Sequence, residues 1–577
     1  MVAHLDSPEV LVKERKFIPS EYTFSTWESV QDFYDQLLNR EIQSSDELYR
    51  LMLDKSELDS IIDEEFRKRY VLCTVETSNK EYAENLEFMY TQVLPKWMPV
   101  QFSLTQKLVT SPYKSNLQQE QLFTFWRSAQ TGLELYRDEN IPLTQEIGLL
   151  VKKYDEITGE LSVEFNGEKF SLTKAGSFLK SQDRKVREEV FDKIQQSRLS
   201  VQHSLAELYL ELIAKRSAMA ANCSYSNFTD YQFKSLGRFD YSASDCSQFH
   251  SSIEKHVLPI VKKIQEERIK DLKLDSLKPY DLDVEPSGIE SFVTFSSVED
   301  FINQTSQCLN KVDVFFSDVL TQMQKAGKLD LDARLGKALG GYNMNMPESG
   351  LPFVFMNASL NDADIRVLTH EMGHSAHAVL AFHLPLNELR DVPAEVSELA
   401  SMSMELFCLE NWDVFISDEK VLKEAKARYL EGLTQTLVSV ALNDAFQHEV
   451  YKTVSPTTEG LNLMYSTLHK KYSTGLIDYS GYEEVRSIIW QRIPHMYHSP
   501  FYYVEYGFAQ LGAIAMYRNY LSDKENTINQ YKHMLSLGYS KPIPELYKAA
   551  GIEFNFSSDY INELMKFLQD RIQTLRS

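Results

Sequence analysis

The sequence predicts a mainly α-helical fold with a small β element, and three observations carry that prediction. Helical periodicity with charged outer faces runs through residues 177–199, 202–221, 245–272, 298–326 and 421–450. Strict alternation is brief: Glu160-Leu161-Ser162-Val163-Glu164-Phe165 leads into Asn166-Gly167, a dipeptide that favours a type I′ hairpin turn. A second short strand is expected at Phe353-Val354-Phe355-Met356-Asn357, an apolar run that follows the Pro-flanked loop from Met346 to Pro352.

Bulk composition sets the class. The chain has 577 residues, 43% hydrophobic and 25% charged, ordinary for a soluble globular protein with a large core. The hairpin divides it into an expected N-terminal helical region, residues 1–165, and a larger region, residues 166–577. A formal charge of −23 argues against a nucleic-acid surface and against docking on an anionic membrane. No stretch approaches the ~20 apolar residues that span a bilayer. The five cysteines (Cys73, Cys223, Cys246, Cys308, Cys408) are scattered and form no C-x-x-C pair. That spacing argues against a disulfide framework and a thiolate zinc site, and for a reducing compartment. Met1 to Asp6 shows no basic segment leading into an apolar run, so no signal peptide is expected and the cytoplasm is the expected location.

The chemistry is concentrated in His370-Glu371-Met372-Gly373-His374. Two histidines four apart stack on one helix face, where both imidazoles can hold a single Zn²⁺. Glu371 then stands one position along, placed to take a proton from water. Thirteen histidines make a chance H-E-x-x-H rare, on the order of 0.02 occurrences in a chain of this size. Acidic residues at Asp362 and Asp364 mark a helix start, and Ile365, Leu368 and Met372 form an apolar stripe at i, i+3 and i+7. One Zn²⁺ per chain is therefore expected.

A catalytic zinc needs a third protein ligand and an open position. His377 lies about 10.5 Å along the axis from His370 at 1.5 Å per residue, too far to share the ion. The metzincin spacing is absent, because the positions seven and ten residues after His370 hold His377 and Leu380. A glutamate from a following helix remains, and residues 393–405 offer Glu395, Glu398 and Glu405. Spacing alone does not choose among them.

Several segments resemble the thimet-oligopeptidase family of zinc metallopeptidases, nearest its oligoendopeptidase F/Pz-peptidase branch. They are Gly340-Gly341-Tyr342, Pro352 to Asn357, His370 to His377, Glu398 to Glu405, and His495 to Tyr506, with weaker likeness at Leu236 to Tyr241 and Ser181 to Arg187. The resemblance implies a zincin-like helical peptidase with a deep substrate cleft and a small sheet beside the H-E-x-x-H helix. It selects Glu398 as the third metal ligand and places Glu405 behind a ligand. It implies that His495, Tyr503 and Tyr506 stabilise the oxyanion, with Tyr502 facing elsewhere. Tyr342, Phe353 and Phe355 would lie near substrate, with residues 353–357 as an edge strand that pairs with a peptide backbone. This chain departs from the branch at Asn343, where a cysteine is common, which excludes any thiol role there.

The implied activity is zinc-dependent hydrolysis of internal bonds in short unstructured peptides. Release of C-terminal dipeptides is the near alternative and needs a fixed cation for the substrate carboxylate. A non-catalytic peptide-binding protein is the distant alternative, against which all of His370, Glu371, His374 and Glu398 are retained.

Overall fold

The computed structural model describes residues 13–117, 120–288, 292–293, 295–334, 337–338 and 340–577. The segment Met1 to Asp6, on which the leader expectation rests, lies outside them. Five strands are labelled in chain order: β1 (Ser162–Phe165), β2 (Glu168–Ser171), β3 (Leu329–Asp332), β4 (Tyr342–Met344) and β5 (Phe353–Ala358). Six of the many helices carry the residues of interest: α1 (Arg184–Leu199), α2 (Ala243–His256), α3 (Asp362–Ala381), α4 (Ala394–Leu409), α5 (Glu419–Lys452) and α6 (Tyr503–Ser522). The expected mainly helical class is correct; the strands are short, and two of them, β3 and β4, were not expected. Among the described residues, no helix is long and apolar enough to cross a membrane.

Local chemistry accounts for the elements and for two breaks that periodicity did not give. Asn166 and Gly167 both have positive φ, 53° and 80°, as a type I′ turn requires, and β1 pairs antiparallel with β2. The long pattern over 245–272 is two helices, α2 and Leu258–Asp271, because Pro259 opens a first turn and cannot continue the preceding one. The pattern over 298–326 is likewise split at Asp313. Its carboxylate accepts the Phe315 N–H at 2.9 Å and so caps a new helix, Val314–Lys325.

The chain forms two units. One comprises Met1–Glu134, Val293–Leu422 and Gly512–Phe554, and the other Leu135–Phe292, Lys423–Leu511 and Asn555–Ser577. The first unit holds β3, β4, β5, α3 and α4. A core around Trp27, Tyr34, Leu51, Leu58 and Trp126 fills its N-terminal part and includes Leu386 and Leu389 from beyond α3. In its three-stranded sheet the order is β3-β5-β4. β5 pairs parallel with β3 (Leu329 opposite Val354) and antiparallel with β4 (Tyr342 opposite Phe355). The expectation that residues 353–357 form an edge strand is therefore wrong. Both sides of β5 are already hydrogen-bonded, and β4 is an edge.

The second unit holds the hairpin, α1 and α2. It also shows why the segment Ser181 to Arg187 is distinctive. Arg184 and Arg187 of α1 both grip Asp281, at 2.7 Å each, and the Lys278 N–H donates to the same carboxylate at 2.9 Å. Asp281 is fully buried and Arg187 is 3% exposed. Burial opposes the Asp281 charge, but its two arginine partners and the backbone donor outweigh burial and hold the carboxyl below its ordinary range. Removing one member of a buried ion pair strands the other, at a cost of about 3–5 kcal/mol. Asp281→Asn is expected to lose that much at neutral pH. A depressed folded pKa stabilises above the unfolded value of about 3.9 and stops doing so as pH falls through the folded value. The gap between wild type and variant in urea unfolding should therefore be flat near neutrality and shrink below about pH 4. A gap that widens in acid would contradict this role for Asp281.

Candidate metal centre

The motif helix begins where its sequence says. Asn361 caps α3, its side chain accepting the Ala363 N–H at 2.9 Å, while Asp364 accepts the N–H groups of Asn361 and Ser359 at 3.0 and 2.9 Å. Ile365, Leu368 and Met372 are fully buried, so the predicted stripe is the face that packs into the protein. Held by that face, His370 and His374 project together, their ring centroids 4.9 Å apart.

α4 crosses α3 at the motif, and Gly373 makes the crossing possible. A Cβ at that position would lie 2.5 Å from Ser401 Cα and 2.6 Å from the Ala400 carbonyl oxygen. Both are main-chain atoms of α4, so no side chain can move aside. With hydrogen in place of a methyl group, the helices approach closely enough for a glutamate of α4 to reach both imidazoles. That glutamate is Glu398: its Oε2 lies 3.3 Å from His370 Nε2 and 3.8 Å from His374 Nε2. The ligand atoms of His370, His374 and Glu398 all fall within 4.8 Å of one another. Glu395, one turn earlier and 2% exposed, is not part of this group.

The outer atoms of the cluster are fixed. His370 Nδ1–H donates to Glu405 Oε1 at 2.7 Å, and His374 Nδ1 hydrogen-bonds Ser397 Oγ at 3.1 Å, which leaves both Nε2 atoms facing Glu398. Ser401 Oγ donates to Glu398 Oε2 at 3.0 Å. Arg366 Nε lies 3.5 Å from the other oxygen of Glu405. Burial disfavours charge on His370, but hydrogen bonds to Glu398 and Glu405 outweigh it and hold this imidazole well above its ordinary range. Burial, with His370 adding to it, outweighs the carboxylates of Glu398 and Glu405 and pushes His374 down to about 4, into the unprotonated form that a ligand needs. Burial also opposes the Glu398 charge, yet the His370 hydrogen bond and neighbouring imidazoles bring it down to about 2.

This donor set fits Zn²⁺. Two imidazole nitrogens and one carboxylate oxygen converge, and a tetrahedral ion with ligands at about 2.0–2.2 Å needs donors about 3.3–3.5 Å apart. The observed 3.3 and 3.8 Å are close to that need. Glu371 lies beside the cluster, 6% exposed, with Oε2 making no hydrogen bond. Burial pushes its carboxyl up to about 7; His370 pulls the other way, and Glu398 and Glu405 add to the rise. His377 is buried outside the cluster, its Nε2 without a hydrogen bond, and burial pushes it down to about 3.

The other expected residues of this unit lie against the sheet. Tyr342 stacks on Phe355 with centroids 4.8 Å apart and an interplanar angle of 4°, and its hydroxyl hydrogen-bonds Thr74 Oγ1 at 2.6 Å. Phe355 is fully buried and Phe353 half-buried, so Phe355 packs β5 and its side chain is not available at the surface. Asn343, the departure from the branch, donates to the Glu371 carbonyl at 3.1 Å and to Ser375 Oγ at 2.7 Å. It therefore ties β4 to the motif helix, a role the sequence did not give.

In the second unit, His495, Tyr503 and Tyr506 form a cluster of their own. His495 lies 5.3 Å from the Tyr503 ring and 5.6 Å from the Tyr506 ring, and Tyr506 Oη is 3.4 Å from His495 Nε2. Tyr502 belongs to the same group: it stacks on His495 at 5.7 Å, because the turn at Phe501 (φ 67°) sets it off the expected helical direction. The turn has an anchor on the 236–241 segment. Arg238, fully buried, pairs with Glu505 at 2.7 Å and donates to the Phe501 carbonyl. Its signal was present in Leu236-Gly237-Arg238-Phe239-Asp240-Tyr241, a segment noted for likeness but given no role.

A helix pair presenting two imidazoles and a carboxylate beside a buried glutamate defines a site of the metallopeptidase class. The profile of Peptidase family M3 matches residues 177–566, and that of the Peptidase M3 N-terminal domain matches residues 17–136. The chain belongs to peptidase family M3, a family of metallopeptidases. Among similar curated proteins, oligopeptidase PepF of Bacillus subtilis is 23% identical over 407 residues, spanning 69% of this chain and 58% of the relative. Group B oligopeptidase PepB of Streptococcus agalactiae is 24% identical over 430 residues, 71% of this chain and 67% of the relative. Similar folds are seen in Pz peptidase A with inhibitor 2, with a TM-score of 0.89, 24% identity, and coverage of 97% of this chain and 100% of that one. The oligoendopeptidase F of Enterococcus faecium has a TM-score of 0.65 at 16% identity, with 95% and 97% covered.

Proposed function

We propose that the protein is a zinc-dependent oligoendopeptidase that hydrolyses internal bonds of short, unstructured peptides. The observation that carries the reading is the convergence of His370 Nε2, His374 Nε2 and Glu398 Oε2 beside Glu371, a buried carboxylate whose Oε2 makes no hydrogen bond. The names of the relatives, oligopeptidases and oligoendopeptidases, support the substrate class. Five cysteines in no disulfide support a cytoplasmic setting.

His370, His374 and Glu398 would hold one Zn²⁺, which when bound lowers the pKa of water towards about 7 and polarises the scissile carbonyl. Glu371 takes the proton of the attacking water and delivers it to the leaving amine. Its raised pKa suits both halves of that task, since a group poised near neutrality accepts and returns a proton with equal ease. Glu405 and Ser397 hold the imidazoles in the orientation that points Nε2 inward. By the resemblance, His495, Tyr503 and Tyr506 donate to the oxygen that gains charge in the transition state. β4, an edge of the sheet tied to α3 through Asn343, is the strand along which a substrate backbone would pair.

The test is a set of peptides of graded length, each with free and with amidated C-termini, digested with and without chelator and read by mass spectrometry. We expect internal cleavage of short members of both series, lost with chelator and restored by Zn²⁺. Cleavage confined to free C-termini, releasing dipeptides, would establish the carboxypeptidase alternative. Chelator-resistant cleavage would refute the metal mechanism.

A further inference from the structure

A second group of metal-ligand side chains lies in the other unit and has no part in the chemistry above. Cys246 and His250 are four apart on α2, and Asp444 and His448 are four apart on α5, so each helix offers two donors on one face. The donor atoms of Cys246, Asp444 and His448 lie within 4.8 Å of one another, the same spacing that gathers His370, His374 and Glu398. All four side chains are buried: Cys246 and Asp444 fully, His448 5% and His250 7% exposed.

Hydrogen bonding leaves this group incomplete. His250 Nε2–H donates to Asp444 Oδ2 at 2.7 Å, but Asp444 Oδ1 has no hydrogen-bond partner. His448 Nε2 pairs with Asp444 Oδ2 at 3.3 Å, without the alignment of a hydrogen bond. Asp444 Oδ1 and His448 Nε2, one turn apart on α5, thus both lack a hydrogen bond in one place, and each is an ordinary metal donor. Such atoms are costly unless something occupies the space between them. The surroundings are aromatic: Phe233 and Phe501 lie 5.9 and 5.0 Å from the His448 ring, and Phe249 lies 6.1 Å from His250.

We infer that Cys246, Asp444 and His448 hold a second divalent cation of the zinc type, with His250 orienting Asp444. A thiolate, an imidazole and a single carboxylate suit zinc and disfavour Mg²⁺ and Ca²⁺, which take mainly oxygen. The site is structural because all of its donors are buried. It staples α2 to α5 just beside Gln447, whose Oε1 accepts the Phe501 N–H at 2.7 Å and so holds the turn before α6. Cysteine spacing along the chain argued against a thiolate site. It did so because it counts neighbours in sequence, whereas these donors come from helices almost 200 residues apart.

The full-length His370→Ala/His374→Ala variant, purified under a thiol reductant and equilibrated with Zn²⁺ or Co²⁺, isolates this site. We expect one bound equivalent per chain, a thiolate-to-cobalt charge-transfer band, and one sulfur ligand in zinc X-ray absorption. Cys246→Ser on that background should remove the band and the sulfur ligand, and His448→Ala should remove the equivalent. Circular dichroism checks that these variants fold. The double variant needs no change in this unit, so its metal content and sulfur ligand decide the matter even if the others fail to fold. No bound equivalent, a first shell without sulfur, or a band that survives Cys246→Ser would overturn the inference.

Discussion

Glu371→Gln should lower kcat by about 10²–10⁴-fold, the range that general acid–base catalysis contributes. The substitution keeps shape and burial but removes the basic oxygen. In the folded protein that oxygen, Oε2, is buried and makes no hydrogen bond, so nothing structural depends on its charge. Metal content and thermal midpoint should therefore match wild type, and the loss should fall on kcat rather than KM. Steady-state kinetics on a short peptide, with metal analysis of the same preparation, gives both numbers. Retained activity would remove Glu371 from the proton-transfer role.

The second large effect is expected at Gly373. An added methyl group would meet Ser401 Cα and the Ala400 carbonyl at 2.5 and 2.6 Å, so Gly373→Ala must push α4 away from α3. Overpacking of this kind costs about 1–3 kcal/mol. The displacement moves Glu398 away from the two imidazoles, and its effect on affinity should resemble loss of a supporting contact, about 10–100-fold weaker metal binding. Calorimetric titration of the metal-stripped protein with Zn²⁺ measures it. Destabilisation with unchanged zinc affinity would mean that the close crossing serves packing alone.

Glycine in the motif illustrates what the sequence could and could not convey. The two histidines, their helix, its acidic start and its apolar stripe all follow from local spacing, and each is where it was expected. The requirement for Gly373 depends on a second helix whose approach no local pattern encodes. The choice among Glu395, Glu398 and Glu405 was open for the same reason, since three carboxylates on one helix differ only in what faces them. β5 was legible as a strand but not as the central one, because its parallel partner β3 lies more than 20 residues upstream and pairing leaves no mark in composition. The two helix breaks were legible in hindsight from Pro259 and Asp313, where backbone chemistry overrides a continuous hydrophobic period. Asn343 and Arg238 hold the elements that carry the chemistry, and their roles depend entirely on long-range contacts.

The central claim is the ligand set, and metal content of two glutamate variants tests it most directly. Glu398→Ala and Glu395→Ala change the same residue type one turn apart on α4, and both glutamates are buried. After dialysis against a weak chelator, the account predicts that Glu398→Ala loses one zinc equivalent relative to wild type while Glu395→Ala loses none. Loss from Glu395→Ala with retention in Glu398→Ala would contradict it.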